Sequence, residues 1–266
     1  MKKLLIIPVT AITVGSIFLS SCGNANTDAT MKSPVQSSTD TTAQKANSKT
    51  GENEGKENEA KENEKDEKAS IAKPASYVAT TDAMAKTIEN IQAAFKGETT
   101  ASAKYAAYSK KAEQEGYHQI ALLFKAASTA ENIHANNHKA VLQESGASVP
   151  VIKPEFTVKS TEENLQDAIA GETYEITTMY PEFITAANVA GNQLAMISLN
   201  YAYKTEKKHK AFYEAALNAL QNNTVKNLPV VFYVCPTCGN TYESKAPARC
   251  GISMTAGEKF IKITSL

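Results

Sequence analysis

Four short segments of this chain carry carboxylates and imidazoles at spacings that suit a metal. Glu131 precedes His134 by three residues, and Glu206 precedes His209 by three. Side chains three apart on a helix share a face, so each pair can aim a carboxylate oxygen and an imidazole nitrogen at one point. Two further glutamates, Glu98 and Glu172, each follow a glycine and stand 33 and 34 residues ahead of those pairs. One Glu from each of two helices, with Glu-x-x-His from each of two others, is the donor set of a carboxylate-bridged dimetal bundle. Buried carboxylates are costly unless paired or ligated, and two cations would remove that penalty. Carboxylates and imidazoles without thiolate suit iron or manganese with positions left open for an oxidant.

The elements that must position these groups come from an internal repeat. Residues 87–98 align without a gap on 161–172, an offset of 74, with seven of twelve pairs identical. The offset becomes 75 where Glu131 faces Glu206, so one residue has been gained inside the repeat. Apolar residues such as Ile88, Ile91, Ala94 and Phe95, then Ile120, Leu123, Phe124 and Ala127, recur at three- and four-residue spacing and predict two helices per unit. Gly116 and Gly191 mark the turn inside each unit, and Ser160 with Glu163 predicts a capping box. Pro150 and Pro154 break the pattern in the link at 149–159. Two helical hairpins and a longer link predict a four-helix bundle over 81–222. A third Glu-x-x-His, Glu115 with His118, spans Gly116, has no repeat counterpart and reads as surface decoration. His138 shares the face of His134 but also lacks a repeat partner, and reads as a structural or ligand-supporting residue.

Several ordered motifs, namely Ala-Phe-Lys-Gly-Glu98, Lys-Tyr105, Glu-Gly-Tyr-His-Gln-Ile-Ala121, Glu131-x-x-His134, Ala-Gly-Glu172-x-x-Glu175, Met-Tyr180-Pro-Glu182 and Glu206-x-x-His209, resemble the rubrerythrin family over roughly 82–263. The resemblance implies a mainly α protein: a ferritin-like four-helix bundle with a small β-rich, rubredoxin-like C-terminal domain at 229–266. It implies two non-haem iron ions, with manganese as the other candidate, held by Glu98, Glu131, His134, Glu172, Glu175, Glu206 and His209. Glu175 enters as a seventh ligand that exchanges with His134 on one iron when the redox state changes. Plain ferritins lack this glutamate, which argues against simple iron storage. Tyr105 and Tyr180 match tyrosines that hydrogen-bond to ligating carboxylates. The implied activity is reduction of hydrogen peroxide with electrons from an external redox donor protein, by a homodimer. Ferroxidase activity is the competing enzyme reading, and a surface binding module the non-enzymatic one.

The C-terminal segment departs from the family pattern. The first Cys-x-x-Cys knuckle is intact at Cys235 and Cys238, but the second reads Cys250-Gly-Ile-Ser253, with serine in place of the fourth cysteine. A mononuclear iron or zinc site here is expected to be weak, altered or absent, although the Ser253 oxygen or the Met254 thioether could complete it. In an oxidising compartment Cys235 and Cys238 could instead pair, leaving Cys250 free.

The chain has 266 residues, 42% of them hydrophobic, with 28 basic and 28 acidic side chains and four cysteines. That balance excludes collagen-like, disulfide-dense and wholly disordered chains and offers no basis for nucleic-acid binding. Its average hides unlike segments. Lys2 and Lys3, the apolar run from Leu4 to Leu19 and Leu-Ser-Ser-Cys22 read as an export signal over 1–21 whose ending resembles a bacterial lipobox. Cys22 would then carry lipid and hold the protein to a bacterial membrane on its periplasmic or cell-surface side. Residues 22–80 read as a charged, disordered tether, with Glu-Asn-Glu recurring at 52, 57 and 62.

Overall fold

A computed structural model describes residues 80–266, and the expected signal, lipidated Cys22 and nearly all of the tether lie outside them. Among the described residues no helix is long and apolar enough to cross a membrane. The architecture is mainly α, a four-helix bundle followed by a small antiparallel sheet.

Helix α1 (Thr81–Gln114) and α2 (His118–Glu144) form the first hairpin. Helix α3 (Thr161–Tyr174) runs through a π-turn (Glu175–Met179) into α4 (Tyr180–Val189), and this composite helix pairs with α5 (Gln193–Gln221). Both hairpins turn on a glycine in the left-handed region, Gly116 at φ 84° and Gly191 at φ 63°. The next amide in each reaches back over the turn, Tyr117 N to Ala112 O at 2.9 Å and Asn192 N to Ala187 O at 3.0 Å. That closure satisfies a terminal helix carbonyl and needs a residue with no Cβ penalty. Ser160 caps α3 in a full capping box with Glu163. Glu115 accepts from the Thr161 amide at 2.8 Å, so this member of the third Glu-x-x-His ties the start of α3, while His118 lies on the surface against Glu113.

The π-turn accounts for the residue gained in the repeat. The Tyr180 amide donates to the Glu175 carbonyl, five residues back, so the wide turn holds one residue more than an α-turn without changing the register of the flanking helices. The offset is 74 at Glu172 and already 75 at Gly191, and the π-turn lies between them.

Inside the bundle, Tyr105, Tyr108, Phe124 and Tyr213 pack ring against ring at one end, and Ile91, Leu142, Tyr180 and Leu199 fill the other. The C-terminal sheet has the order β2-β1-β3, with β1 (Phe232–Val234), β2 (Thr241–Glu243) and β3 (Ile261–Ile263). Phe232 pairs with Glu243 on one side and Ile263 on the other. Phe232, Val234 and Ile263 are buried in the same core cluster as the bundle residues, so the small sheet is docked on its own chain's helices.

Candidate metal centre

Six predicted ligands converge at the middle of the bundle. Glu98 comes from α1, Glu131 and His134 from α2, Glu172 from α3, and Glu206 and His209 from α5. All six are at most 1% exposed. Their ligand atoms fall into two groups, each within 4.8 Å: Glu98, Glu131, His134 and Glu206, and then Glu131, Glu172, Glu206 and His209. Glu131 and Glu206 belong to both, as carboxylates bridging two cations must. His134 Nδ1 lies 2.9 Å from Glu131 Oε2 and 2.9 Å from Glu206 Oε1, and His209 Nδ1 lies 3.2 Å from Glu131 Oε1 and 2.8 Å from Glu206 Oε2.

The residues fit a metal pair by a test internal to the structure. Glu98 Oε2, Glu172 Oε2, both oxygens of Glu206 and His209 Nδ1 are buried without a hydrogen-bond partner. Glu206 Oε2 and His209 Nδ1 are close enough to bond but poorly aligned, because each is directed at a common centre rather than at the other. Unpartnered buried acceptors are expensive, and cations between them would satisfy them together.

Each lone glutamate has one oxygen fixed and one left free. Tyr105 donates to Glu172 Oε1 at 2.9 Å, and Tyr180 donates to Glu98 Oε1. Tyr180 stands 75 residues after Tyr105, so each tyrosine holds the glutamate of the opposite repeat unit. The ring tautomers are also set. The Cys238 carbonyl, which can only accept, lies 3.0 Å from His134 Nε2. Thr241 Oγ1 donates to the Gly239 carbonyl and so accepts from His209 Nε2 at 3.0 Å. With both Nε2 atoms protonated, both Nδ1 atoms face the carboxylates and are the nitrogens that could ligate a metal.

Electrostatics follow from this crowding. Burial, with neighbouring carboxylates, raises Glu98 and Glu172 well above the ordinary carboxyl range. Burial acts to lower His209, but Glu131 and Glu206 outweigh it and lift it to about 9. His134 is likewise raised, by Glu206 and Glu98 against its burial. In the metal-free chain protons on the imidazoles offset part of the carboxylate charge.

Glu175 lies outside the two tight groups. Spacing alone puts it on the Glu172 face, but it opens the π-turn and its residue is only partly buried. Burial of its carboxyl, then the charges of Glu98, Glu206 and Glu131, push its pKa well up, so it sits in the field of the cluster.

His138 has a repeat counterpart after all. Position 213, 75 residues on, carries Tyr213, which packs against Tyr105 at 5.5 Å between ring centres as His138 packs against Tyr180 at 6.3 Å. Because the counterpart is not a histidine, comparing residue types hid it. His138 Nε2 lies 3.4 Å from the Tyr180 hydroxyl, and Ser198 Oγ lies 2.8 Å from His138 Nδ1. Burial, then the charge on His134, lowers His138 to about 3 and keeps it neutral. Ser198 was not predicted, since a lone serine on a helix carries no spacing signal.

In the C-terminal module Cys235, Cys238 and Cys250 are free, fully buried thiols gathered within 4.8 Å, so no disulfide joins Cys235 to Cys238. Met254 is 62% exposed. Ser253 Oγ, by contrast, lies 3.2 Å from Cys235 Sγ.

Known proteins resemble this chain over both the bundle and the tail. The rubrerythrin family profile matches residues 89–217. Nigerythrin of Nitratidesulfovibrio vulgaris is 35% identical over 180 residues, spanning 67% of this chain and 87% of that protein. Rubrerythrin-2 of Clostridium acetobutylicum is 33% identical over 177 residues, spanning 66% of this chain and 96% of the relative. The solved structure of nigerythrin in its fully reduced, all-ferrous state superposes with a TM-score of 0.60 at 35% identity, covering 66% of this chain and 86% of that one. A bacterioferritin of Desulfovibrio desulfuricans, at 21% identity and a TM-score of 0.50, shares the fold alone. With a ferritin-like bundle, a cysteine-bearing tail and a carboxylate–histidine cluster of the diiron type, this chain belongs to the rubrerythrin family.

Proposed function

We propose that the protein is a diiron peroxidase that reduces hydrogen peroxide to water, with electrons from an external donor. Glu175 carries this reading: it is a fifth carboxylate, outside the four glutamates and two histidines that complete the two four-residue groups, and it stands in their field at the start of a π-turn. A storage site needs no seventh ligand, whereas a site whose ligand set changes during turnover does. The iron pair, held by Glu98, Glu131, His134, Glu172, Glu206 and His209, would supply the two electrons that cleave the peroxide bond. Two protons complete the products, two waters. The protein's share is to keep the site dry, hold the ligands in place and set protons nearby. Tyr105 and Tyr180 carry hydroxyl protons directly on the glutamates, and Ser198 and His138 extend the Tyr180 chain. The Cys238 carbonyl on His134 joins the cysteine cluster to the bundle cluster through one hydrogen bond.

The same reading places the mature chain outside the cytoplasm, lipid-anchored through Cys22, with the charged tether lifting the domain off a bacterial membrane. It also takes a homodimer as the working unit.

The test loads the protein anaerobically with ferrous iron and mixes it with peroxide and, separately, with oxygen. Much faster oxidation by peroxide supports a peroxidase. Preference for oxygen with continued iron uptake would instead mark a ferroxidase. Glu175→Ala should slow peroxide turnover by about 100-fold while two irons per chain remain bound, and equal losses of turnover and iron would count against the exchange role.

A further inference from the structure

We propose that the C-terminal module holds a third metal ion, iron or zinc, in a tetrahedral cage of three sulfurs and one oxygen, with the Ser253 hydroxyl as the fourth ligand. This concerns a site separate from the bundle cluster and stands whether or not the peroxidase reading does.

Backbone geometry carries the argument first. In the first knuckle, Gly239 N donates to Cys235 O at 2.9 Å and Cys235 N donates to Asn240 O at 3.0 Å. In the second, Met254 N donates to Cys250 O at 3.0 Å and Cys250 N donates to Thr255 O at 2.8 Å. The two turns therefore share one hydrogen-bond pattern, and Ser253 occupies in the second the place that Cys238 occupies in the first. Even the left-handed residue that follows is kept, as Gly239 at φ 75° and Met254 at φ 60°. A loop freed from metal binding has no reason to hold methionine in a conformation that L side chains rarely adopt.

Distances are the second strand. Metal–sulfur bonds of about 2.3 Å and metal–oxygen bonds of about 2.0 Å give tetrahedral edges of about 3.8 Å between sulfurs and about 3.5 Å between sulfur and oxygen. Cys238 Sγ lies 3.4 Å from Cys250 Sγ, and Cys235 Sγ lies 3.2 Å from Ser253 Oγ. Both are opposite edges of such a cage, and each needs to open by only a few tenths of an ångström to admit an ion.

The polar surroundings are the third. Ile252 N at 3.4 Å, with Asn240 Nδ2 and the Tyr242 hydroxyl at 3.6 Å, point at Cys250 Sγ and favour its thiolate. The Lys208 ammonium sits over the Tyr242 ring, 4.0 Å from its centre, in the field of Cys250 and Cys238. Thr255 Oγ1 donates to Thr237 Oγ1 at 2.8 Å, so it accepts from Ser253, whose oxygen lies 2.9 Å away. Ser253 thus gives its proton to Thr255 and turns its lone pairs toward the three sulfurs. Bound as the alkoxide, its proton lost to solvent on coordination, Ser253 is a harder anionic donor than thiolate and favours the ferric state, so iron here would have a lower reduction potential than in an all-sulfur cage.

The experiment uses the full chain, titrated with cobalt(II) and analysed for iron and zinc as isolated. Thiolate-to-cobalt charge-transfer absorption reports only the cysteine site. Metal analysis should give one ion beyond the bundle pair, lost in Cys250→Ala, and identify it as iron or zinc. Wild type should bind one cobalt with thiolate absorption and tetrahedral visible bands. Ser253→Cys should bind too, with its bands shifted to lower energy, and the iron form of Ser253→Cys should have the higher potential. Ser253→Ala should lose at least tenfold in cobalt affinity. The proposal is overturned if Ser253→Ala matches wild type in affinity and spectrum, or if only Ser253→Cys binds a third ion. Circular dichroism of each variant checks that the bundle is folded.

Discussion

At the scale of single residues, the site is held by pairs of contacts that cross between the repeat units. Tyr105 fixes one oxygen of Glu172 and leaves the other free, and Tyr180 does the same for Glu98. Tyr105→Phe would leave Glu172 Oε1 buried and unpaired beside four other carboxylates. Such supporting groups are typically worth 10–100-fold in affinity or activity, so iron binding measured by anaerobic titration should weaken by about that factor with helicity unchanged. Six of the clustered residues were legible from spacing, since Glu-x-x-His on a helix puts both side chains on one face, whereas Glu175 was implied only by the family resemblance. The tyrosine bonds were suggested only by family resemblance, because a tyrosine seven or eight residues beyond a glutamate could equally be plain packing. His138 was legible as a supporting residue, but its partners were not, since they arrive from α4 and α5.

At the scale of elements, two features set the site. The first is the π-turn. The first repeat unit has Ala101 where the second has Glu175, and it crosses the same stretch as regular helix. Deleting Thr177 should let the second unit run as α-helix with its flanks in register. Tyr180 would keep its bond to Glu98 and two irons should still bind, while Glu175 would be re-aimed and peroxide turnover should fall by about 100-fold. Parallel metal analysis and steady-state kinetics check this. The second feature is the seating of the first knuckle on α2. A Cβ at Gly239 would collide with His134 Nε2, and it would lie 3.1 Å from the Ala130 carbonyl at a φ of +75°. Gly239→Ala should therefore undock the tail at a cost of about 1–3 kcal/mol, seen as faster amide exchange over 229–266 and a lower denaturation midpoint. From the sequence the repeat shows that a residue was gained but not where the backbone absorbs it. Helices can hide an insertion as a π-turn or show it as a loop, and tertiary packing chooses.

At the scale of the whole molecule, the carboxylate cluster links metal to protons. Five carboxylates, Glu98, Glu131, Glu172, Glu175 and Glu206, against two divalent cations and two neutral imidazoles leave a charge of −5 + 4 = −1. Without metal the histidines carry protons: His209 is raised to about 9, and such a group keeps its proton until pH climbs through that value. Metal must displace those protons, so apparent iron affinity should rise with pH through about 9, where His209 gives up its proton. Calorimetry in buffers of different ionisation enthalpy would count the protons released, and a pH-independent affinity would contradict the assignment. Sequence alone determined the bundle, its two hairpins, six Glu and His residues that converge, and the missing fourth cysteine. The first three rest on local periodicity and on spacing within helices, which the chain dictates without reference to distant parts, and the missing cysteine rests on the two-knuckle pattern that the family resemblance implies. Only the tertiary structure decided which carboxylates the two groups share, which histidine nitrogen faces the cluster, where Glu175 stands and what Ser253 touches. Those outcomes depend on contacts between elements up to about a hundred residues apart, such as Cys238 on His134, and no local pattern encodes a distance across that span.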